Sequence, residues 1–337
     1  MVLAPGRAER PEAFAPVPAE SKPDAAETCP FCEGREDRTP PEVWADRPGG
    51  GEADTPGWRA RSVPNLYPVL GAEAAAEGGL AVAETGISSS ADPLADSRRT
   101  GDPDLFGRQP AVGSHEVIVS TPRHETSLGG LAVDELAVTV EAWRERLRAV
   151  GTDASCTHLI VNEGPLAGAS LEHTHAQLYG MQFVPAAIAR ERERASAYHQ
   201  RTMGSHLLGD VATEEVRRRD RLVTIDDDAV LICPWASRSP FELRIIPRRP
   251  APSFEADGQG GAAMLGRALA ALTGVFGSPP QLNLWVRTAP RGVEEFCWHL
   301  DLLPRLTIRA GFELGTGVEI NTYAPERAAS DLREALA

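Results

Sequence analysis

The chain has 337 residues, 42% of them hydrophobic, enough for one large domain or two smaller ones around a sizeable core. Asp and Glu outnumber Lys and Arg by 48 to 34, a net charge of −14, which argues against nucleic acid as a partner. No run of eighteen apolar residues marks a membrane span, the first residues lack the apolar centre of a signal peptide, and five scattered cysteines argue against a disulfide framework and for a reducing cytoplasm.

Residues 1–28, rich in Pro, Ala and Glu, read as an extended surface segment. Val63 to Leu70 reads as a strand ending in a turn. Residues 71–113, rich in Ala, Gly, Ser and Asp without periodicity, read as a long mobile insertion. His115 to Ser120 alternates as a strand does. Leu136, Val140, Trp143 and Leu147 fall at helical spacing, with Gly151 as a stop. Cys156 to Asn162 and Ser170 to Met181 read as further strands, and 186–222 as a long charged helical region.

The second half repeats this order. Ala229 to Trp235 matches the Asn65 strand, Phe241 to Pro247 the His115 strand, and Leu282 to Val286 the Asn162 strand. A helix with Met264, Leu265, Leu269 and Leu272 stands between the last two. Cys297-Trp298-His299-Leu300-Asp301 matches the strand of His173-Thr174-His175-Ala176-Gln177, with His-Leu-Asp in place of His-x-His. The repeat implies an internal duplication, residues 1–185 and 186–337, in which the second copy is degenerate.

Three motifs carry chemistry. In a strand, His173, His175 and Gln177 share one face. A neutral His175 nitrogen can attack phosphorus, and Gln177 can donate to the phosphoryl oxygens. The same His-x-His also fits a metal site or a satisfied structural pair. Cys29-Pro30-Phe31-Cys32 has the spacing of half a zinc site, and also that of a redox dithiol. With no second Cys pair, the remaining zinc ligands are sought among His115, His124, His158 and His173. Arg7 and Arg10 fit a phosphate clamp or a solvated basic tail.

Taken in order, these motifs resemble the galactose-1-phosphate uridylyltransferase family of the histidine-triad superfamily. The resemblance runs from Arg-Ala-Glu-Arg-Pro at 7–11 through Cys-Pro-Phe-Cys at 29–32, Thr-Pro-Pro-Glu at 39–42, Pro-Asn-Leu-Tyr-Pro at 64–68 and Gly-Ser-His-Glu-Val-Ile-Val at 113–119. It ends at Gly-Phe-Glu-Leu-Gly-Thr-Gly, 311–317, and Ile-Asn, 320–321. It implies an α+β fold with a duplicated histidine-triad-like unit, two antiparallel sheets flanked by helices. It implies ping-pong transfer, in which His175 takes uridylyl from UDP-glucose and passes it to galactose 1-phosphate. Gln177 would contact the phosphoryl group. Arg7, Arg10, Asn65 and Asn162 would contact the nucleotide, Ser170 its phosphates and Glu313 the hexose. Cys29, Cys32, His124 and His173 would hold one structural zinc, and the chain would form a homodimer.

Three departures qualify the resemblance. Glu191 and His299 match a second metal site of some members, but Arg287 and Asp301 stand where that site has histidines, so no second metal is expected. The chain starts almost at the arginine pair, so the expectation is an upstream start or an incomplete sheet edge. Gly-x-His-Glu-Val and Gly-Phe-Glu-Leu-Gly-Thr-Gly also resemble a sister branch that handles adenylyl groups, such as ADP-glucose phosphorylase.

Overall fold

The computed structural model describes residues 2–3, 25–71, 111–258 and 260–337. The Arg7–Arg10 pair and residues 72–110, most of the segment read as an insertion, lie outside the described residues. In chain order the elements are β1 (Val2–Leu3), α1 (Ala25–Thr28), β2 (Trp44–Asp46), β3 (Ala60–Pro64), β4 (Gly113–Val119), α2 (Val133–Gly151), β5 (Cys156–Glu163), β6 (His175–Met181), α3 (Ala186–Thr202) and α4 (Leu207–Arg218). There follow β7 (Leu222–Ile225), β8 (Ala229–Ile232), β9 (Leu243–Pro247), α5 (Ala262–Phe276), β10 (Leu282–Arg287), β11 (His299–Pro304), α6 (Gly311–Thr316), β12 (Ile320–Asn321) and α7 (Pro325–Leu336).

Ten strands form one antiparallel sheet in the order β2-β3-β4-β6-β5-β10-β11-β9-β8-β7. Read inward from either edge, the two sets of five strands follow the same sequence: the fourth and fifth strands of each exchange places. The sets meet where β5 pairs with β10, Ile160 opposite Trp285 and Val161 opposite Leu284. The sheets of the two halves are thus joined edge to edge, which leaves neither β5 nor β10 with unpaired backbone groups. β1 lies apart, pairing in parallel with β12.

Alternation sorts the side chains between the two faces of the sheet. Ile118, Leu159, Val161, Ala176 and Leu178 of the first half enter the main core, as do Leu231, Leu243, Ile245, Leu284, Leu300 and Leu302 of the second. The apolar stripe Leu136, Val140, Trp143 and Leu147 brings α2 onto this face. Met264, Leu265, Leu269 and Leu272 do the same for α5, and Ala328, Ala329 and Leu332 for α7. Each fully buried large apolar side chain contributes about 1.5–3 kcal/mol here. The opposite face receives the intervening residues: His115, Val117 and Val119 of β4, Asn162 of β5, and His175, Gln177 and Tyr179 of β6. It is covered by the Cys29–Phe31 loop in one half and by α4, through Ala212, in the other.

Two elements differ from expectation. β6 begins at His175 rather than Ser170, so His173 precedes the strand and does not share its face in the manner of an alternating pair. The charged region 186–222 is two helices, because Met203 ends α3 in the left-handed region at φ 56° and Gly204 follows at φ 123°.

Candidate active site and metal centre

The hairpin β5–β6 places the site. Glu163 ends β5, and Gly164 turns the chain at φ 82°, where a Cβ would run into the Gln281 side chain. The loop returns to β6 with His173-Thr174 held from behind. Thr174 N–H donates to Glu125 O at 2.6 Å, and Thr174 Oγ1–H to Glu163 Oε1 at 2.9 Å. Glu163 also accepts from Ser127 Oγ–H (2.9 Å) and Leu128 N–H (2.6 Å). Burial outweighs these donors and pushes its carboxyl up to about 7.

Cys29, Cys32, His124 and His173 converge, their four ligand atoms all within 4.8 Å of one another. Cys29 Sγ is 3.5 Å from His173 Nδ1, and Cys32 Sγ lies 3.5 Å from His124 Nδ1 and 3.7 Å from His173 Nδ1. Sulfur and nitrogen ligands at zinc bond lengths and a tetrahedral angle sit roughly 3.6 Å apart, so the edges fit one ion. The imidazole of His173 is set for ligation. Its Nε2–H donates to Thr121 O at 2.9 Å, which leaves Nδ1 with its lone pair toward the thiols. Burial lowers the His173 pKa to about 4, and burial with the neighbouring Cys29 raises that of Cys32 to about 11. The four residues therefore fit a metal. His115 and His158, weighed as ligands from sequence, lie outside this cluster.

His175 is buried beside it. Its Nδ1–H donates to His173 O at 2.6 Å, which fixes the tautomer and leaves Nε2 with its lone pair. Burial lowers its pKa and keeps the ring neutral. Phe31, between the two cysteines, packs its ring edge on His175 at 5.2 Å between centroids. The metal loop thus holds the ring from one side. Gln177 follows on the same face of β6.

Asn65 reaches this group through His115, with Asn65 Nδ2 3.2 Å from His115 Nε2, itself 3.1 Å from Gln177 Oε1. Asn162 sits at the junction of the halves, its Oδ1 accepting from Asn283 Nδ2 at 2.8 Å. Ser170 is exposed and lines a cleft of about 700 Å³ with Glu125, Ser127, Glu163 and Gln281. Glu313 is not brought to His175 within the described chain. It caps α6, accepting from Ala310 N–H at 3.0 Å, and faces a separate cavity of about 480 Å³ with Arg238, Asn283, Trp285 and Arg309. His115, Tyr179, Thr174 and Glu163 were not assigned these contacts from sequence. The alternation that puts His175 and Gln177 on one face also pairs His115 with Tyr179 across β4 and β6, a signal present in the strand pattern.

In the second half, register corrects the matching of the triad. β6 sets Gln177 opposite Ile160, and β11 sets Asp301 opposite Trp285, while Ile160 and Trp285 face each other at the junction. His299 therefore stands in the place of His175, Cys297 in that of His173 and Asp301 in that of Gln177. His299 Nε2 lies 3.3 Å from Glu191 Oε1, and Arg287 Nε 3.6 Å from Glu191 Oε2. Asp301 accepts from Arg244 Nε (2.6 Å), Arg244 Nη2 (3.0 Å) and Trp285 Nε1 (3.1 Å). Burial alone would raise its pKa, but the Arg244 charge and hydrogen bonds hold it well below the carboxylate range. Both acids by His299 are thus paired with guanidinium groups, Asp301 with Arg244 and Glu191 with Arg287, and Asp301 Oδ2 lies 4.0 Å from His299 Nε2.

The sheet, the Cys-His cluster and the tautomer-fixed histidine belong to a chain of the nucleotidyltransferase class. The sequence model described as "Galactose-1-phosphate uridyl transferase, N-terminal domain" matches residues 87–185. The galactose-1-phosphate uridylyltransferase of Cryptococcus neoformans is 30% identical over 73% of this chain and 71% of its own length. The ADP-glucose phosphorylase of Arabidopsis thaliana is 26% identical over 99% of this chain and 89% of its own. The crystal structure of an Arabidopsis thaliana ADP-glucose phosphorylase with bound ADP-glucose shares the fold, with a TM-score of 0.75 at 24% identity, covering 98% of this chain and 94% of that one. The chain belongs to the galactose-1-phosphate uridylyltransferase family, which includes a branch like ADP-glucose phosphorylase.

Proposed function

We propose that the chain moves a nucleotidyl group from a nucleotide sugar to a phosphate-bearing acceptor through a covalent intermediate on His175. The observation that carries this is the Nδ1–H bond of His175 to His173 O at 2.6 Å, which leaves the Nε2 lone pair of a neutral ring available to attack. In the first step Nε2 attacks the α-phosphorus, the P–N bond forms, the bond to the bridging oxygen breaks, and sugar 1-phosphate leaves. In the second, an acceptor phosphate oxygen attacks the same phosphorus and His175 leaves with its lone pair restored. Gln177 stabilises the charge that spreads over the phosphoryl oxygens. Asn65, Asn162, Arg7 and Arg10 hold the nucleotide, and Ser170 its phosphates.

Zinc is the metal we assign to Cys29, Cys32, His124 and His173. Four protein ligands leave no open position, so its contribution is structural: it ties the Cys29–Cys32 loop and Phe31 to the residues before β6. A homodimer is the arrangement that supplies Glu313 to the hexose. The exposed apolar residues Ile308, Phe312 and Leu314 around Glu313 support a covered face there.

The family points to uridylyl transfer from UDP-glucose to galactose 1-phosphate. A second reading, adenylyl transfer from ADP-glucose to phosphate, is favoured by the relative of that name, which aligns with 99% of the chain. Intact mass after incubation with each nucleotide sugar decides between them, since uridylyl and adenylyl adducts differ in mass. An adduct from neither would overturn the covalent reading.

A further inference from the structure

We propose that His115 and Tyr179 are positioning residues that hold the Gln177 amide with its NH₂ group turned toward the phosphoryl group on His175. The inference rests on the reading of His175 as the nucleophile.

The argument starts from a donor whose identity is fixed. The backbone N–H of Val69 donates to His115 Nδ1 at 3.2 Å. That nitrogen is therefore bare, and the ring proton of a neutral imidazole sits on Nε2. Burial lowers the His115 pKa and keeps the ring neutral, although the Gln177 bond works the other way. Nε2–H needs an acceptor. The Asn65 carbonyl oxygen accepts from Tyr67 N–H at 2.8 Å, so Asn65 offers the ring no acceptor, and its Nδ2, 3.2 Å from Nε2, is in contact there without a hydrogen bond. The acceptor is Gln177 Oε1, 3.1 Å away.

Tyr179 supplies the second donor. Its hydroxyl donates to the same Gln177 oxygen at 2.9 Å. The two donors act as a unit, because His115 and Tyr179 are cross-strand partners whose rings stack 4.2 Å apart at 24°. Two donors use both lone pairs of Oε1. A reversed amide would set its N–H against His115 Nε2–H and lose that bond, while the Tyr179 hydroxyl could rotate to accept; His115 is therefore the group that fixes the orientation. The Gln177 NH₂ makes no hydrogen bond among the described residues. It lies on the face it shares with His175, two residues earlier in β6. Turned this way it donates to a phosphoryl oxygen; reversed, it would set a carbonyl oxygen against an anion.

The test is the rate of nucleotidylation of the full chain, mixed with ADP-glucose or UDP-glucose, quenched and weighed intact. His115→Phe with Tyr179→Phe should slow adduct formation about tenfold or more, below the roughly hundredfold of losing an oxyanion donor outright, and leave the half-saturating concentration of nucleotide sugar nearly unchanged. In a Gln177→Ala background the same two substitutions should change the rate by less than about twofold, because the residue they act through is gone. A full additional loss in that background would mark a general structural role and overturn the proposal. The ring tautomer is read without turnover by two-bond ¹H–¹⁵N spectra of histidine-labelled protein. Protonation of His115 at Nε2 supports the proposal, and protonation at Nδ1 overturns it. Absence of any adduct on the unsubstituted chain would defeat the nucleotidyl reading itself, and the tautomer would still report on the geometry.

Discussion

His175 and His299 hold the same place in the two halves of the sheet. Each turns Nδ1 to the carbonyl oxygen two residues earlier, His173 O at 2.6 Å and Cys297 O at 3.2 Å. What differs is the space before Nε2. Glu191 closes it at His299, backed by Arg287, and Asp301 with its guanidinium partners occupies the position that Gln177 holds in the first half.

This asymmetry predicts unequal consequences for the same substitution. His175→Ala abolishes adduct formation, whereas His299→Asn leaves its rate within about threefold, as expected for a site that no reacting group reaches. Intact mass against time for both variants checks this. An adduct mapped by peptide analysis to His299 would contradict it.

The metal cluster predicts about one metal ion per chain by elemental analysis. Cys32→Ser removes one of the ligands that join the Cys29–Cys32 loop to the β6 hairpin. It should lower metal content and reduce the unfolding midpoint by roughly 5–10 °C, because structural metal binding is folding free energy. Loss of the metal should also slow nucleotidylation, since Phe31 then no longer braces His175.

Glu163 predicts a pH dependence of stability. Its carboxyl is raised from 4.5 to about 7 in the folded chain, chiefly by burial. The folded state therefore binds a proton that the unfolded state has already released. The stabilisation is fully present below the unfolded value and is lost as pH rises through the folded one. Between pH 5 and 8 the group should cost roughly 2.5 kcal/mol of unfolding free energy. Glu163→Gln mimics the protonated acid and should flatten that part of the profile. Denaturant titrations of both proteins at pH 5 and pH 8 measure it, and equal slopes against pH would refute the assignment.

Much of this was legible where a feature depends on neighbours in sequence. The apolar spacing of α2 and α5, the strands β4, β5 and β10, and the repeated element order all survive in the structure, although His115 to Val119 of β4 are buried on both faces. The four cluster residues could be chosen only by resemblance, since Cys29 and His173 meet across 144 residues. The start of β6 was not legible. Thr174 is pulled out of the strand by Glu163 and Glu125, contacts that composition does not encode. Nor was α7, whose buried face is built on Ala328 and Ala329, too small to mark an apolar stripe. Motif letters alone do not say which residue replaces which in His-Leu-Asp; the β10–β11 register does.

The central claim is that His175 carries a nucleotidyl group. The most direct measurement is the intact mass of the chain after mixing with ADP-glucose and, separately, UDP-glucose, with His175→Ala in parallel. The account predicts a single adenylyl or uridylyl increment on the unsubstituted chain, released on acid treatment and absent from His175→Ala. An increment that persists in His175→Ala, or turnover of the nucleotide sugar with no increment on the unsubstituted chain, would contradict it.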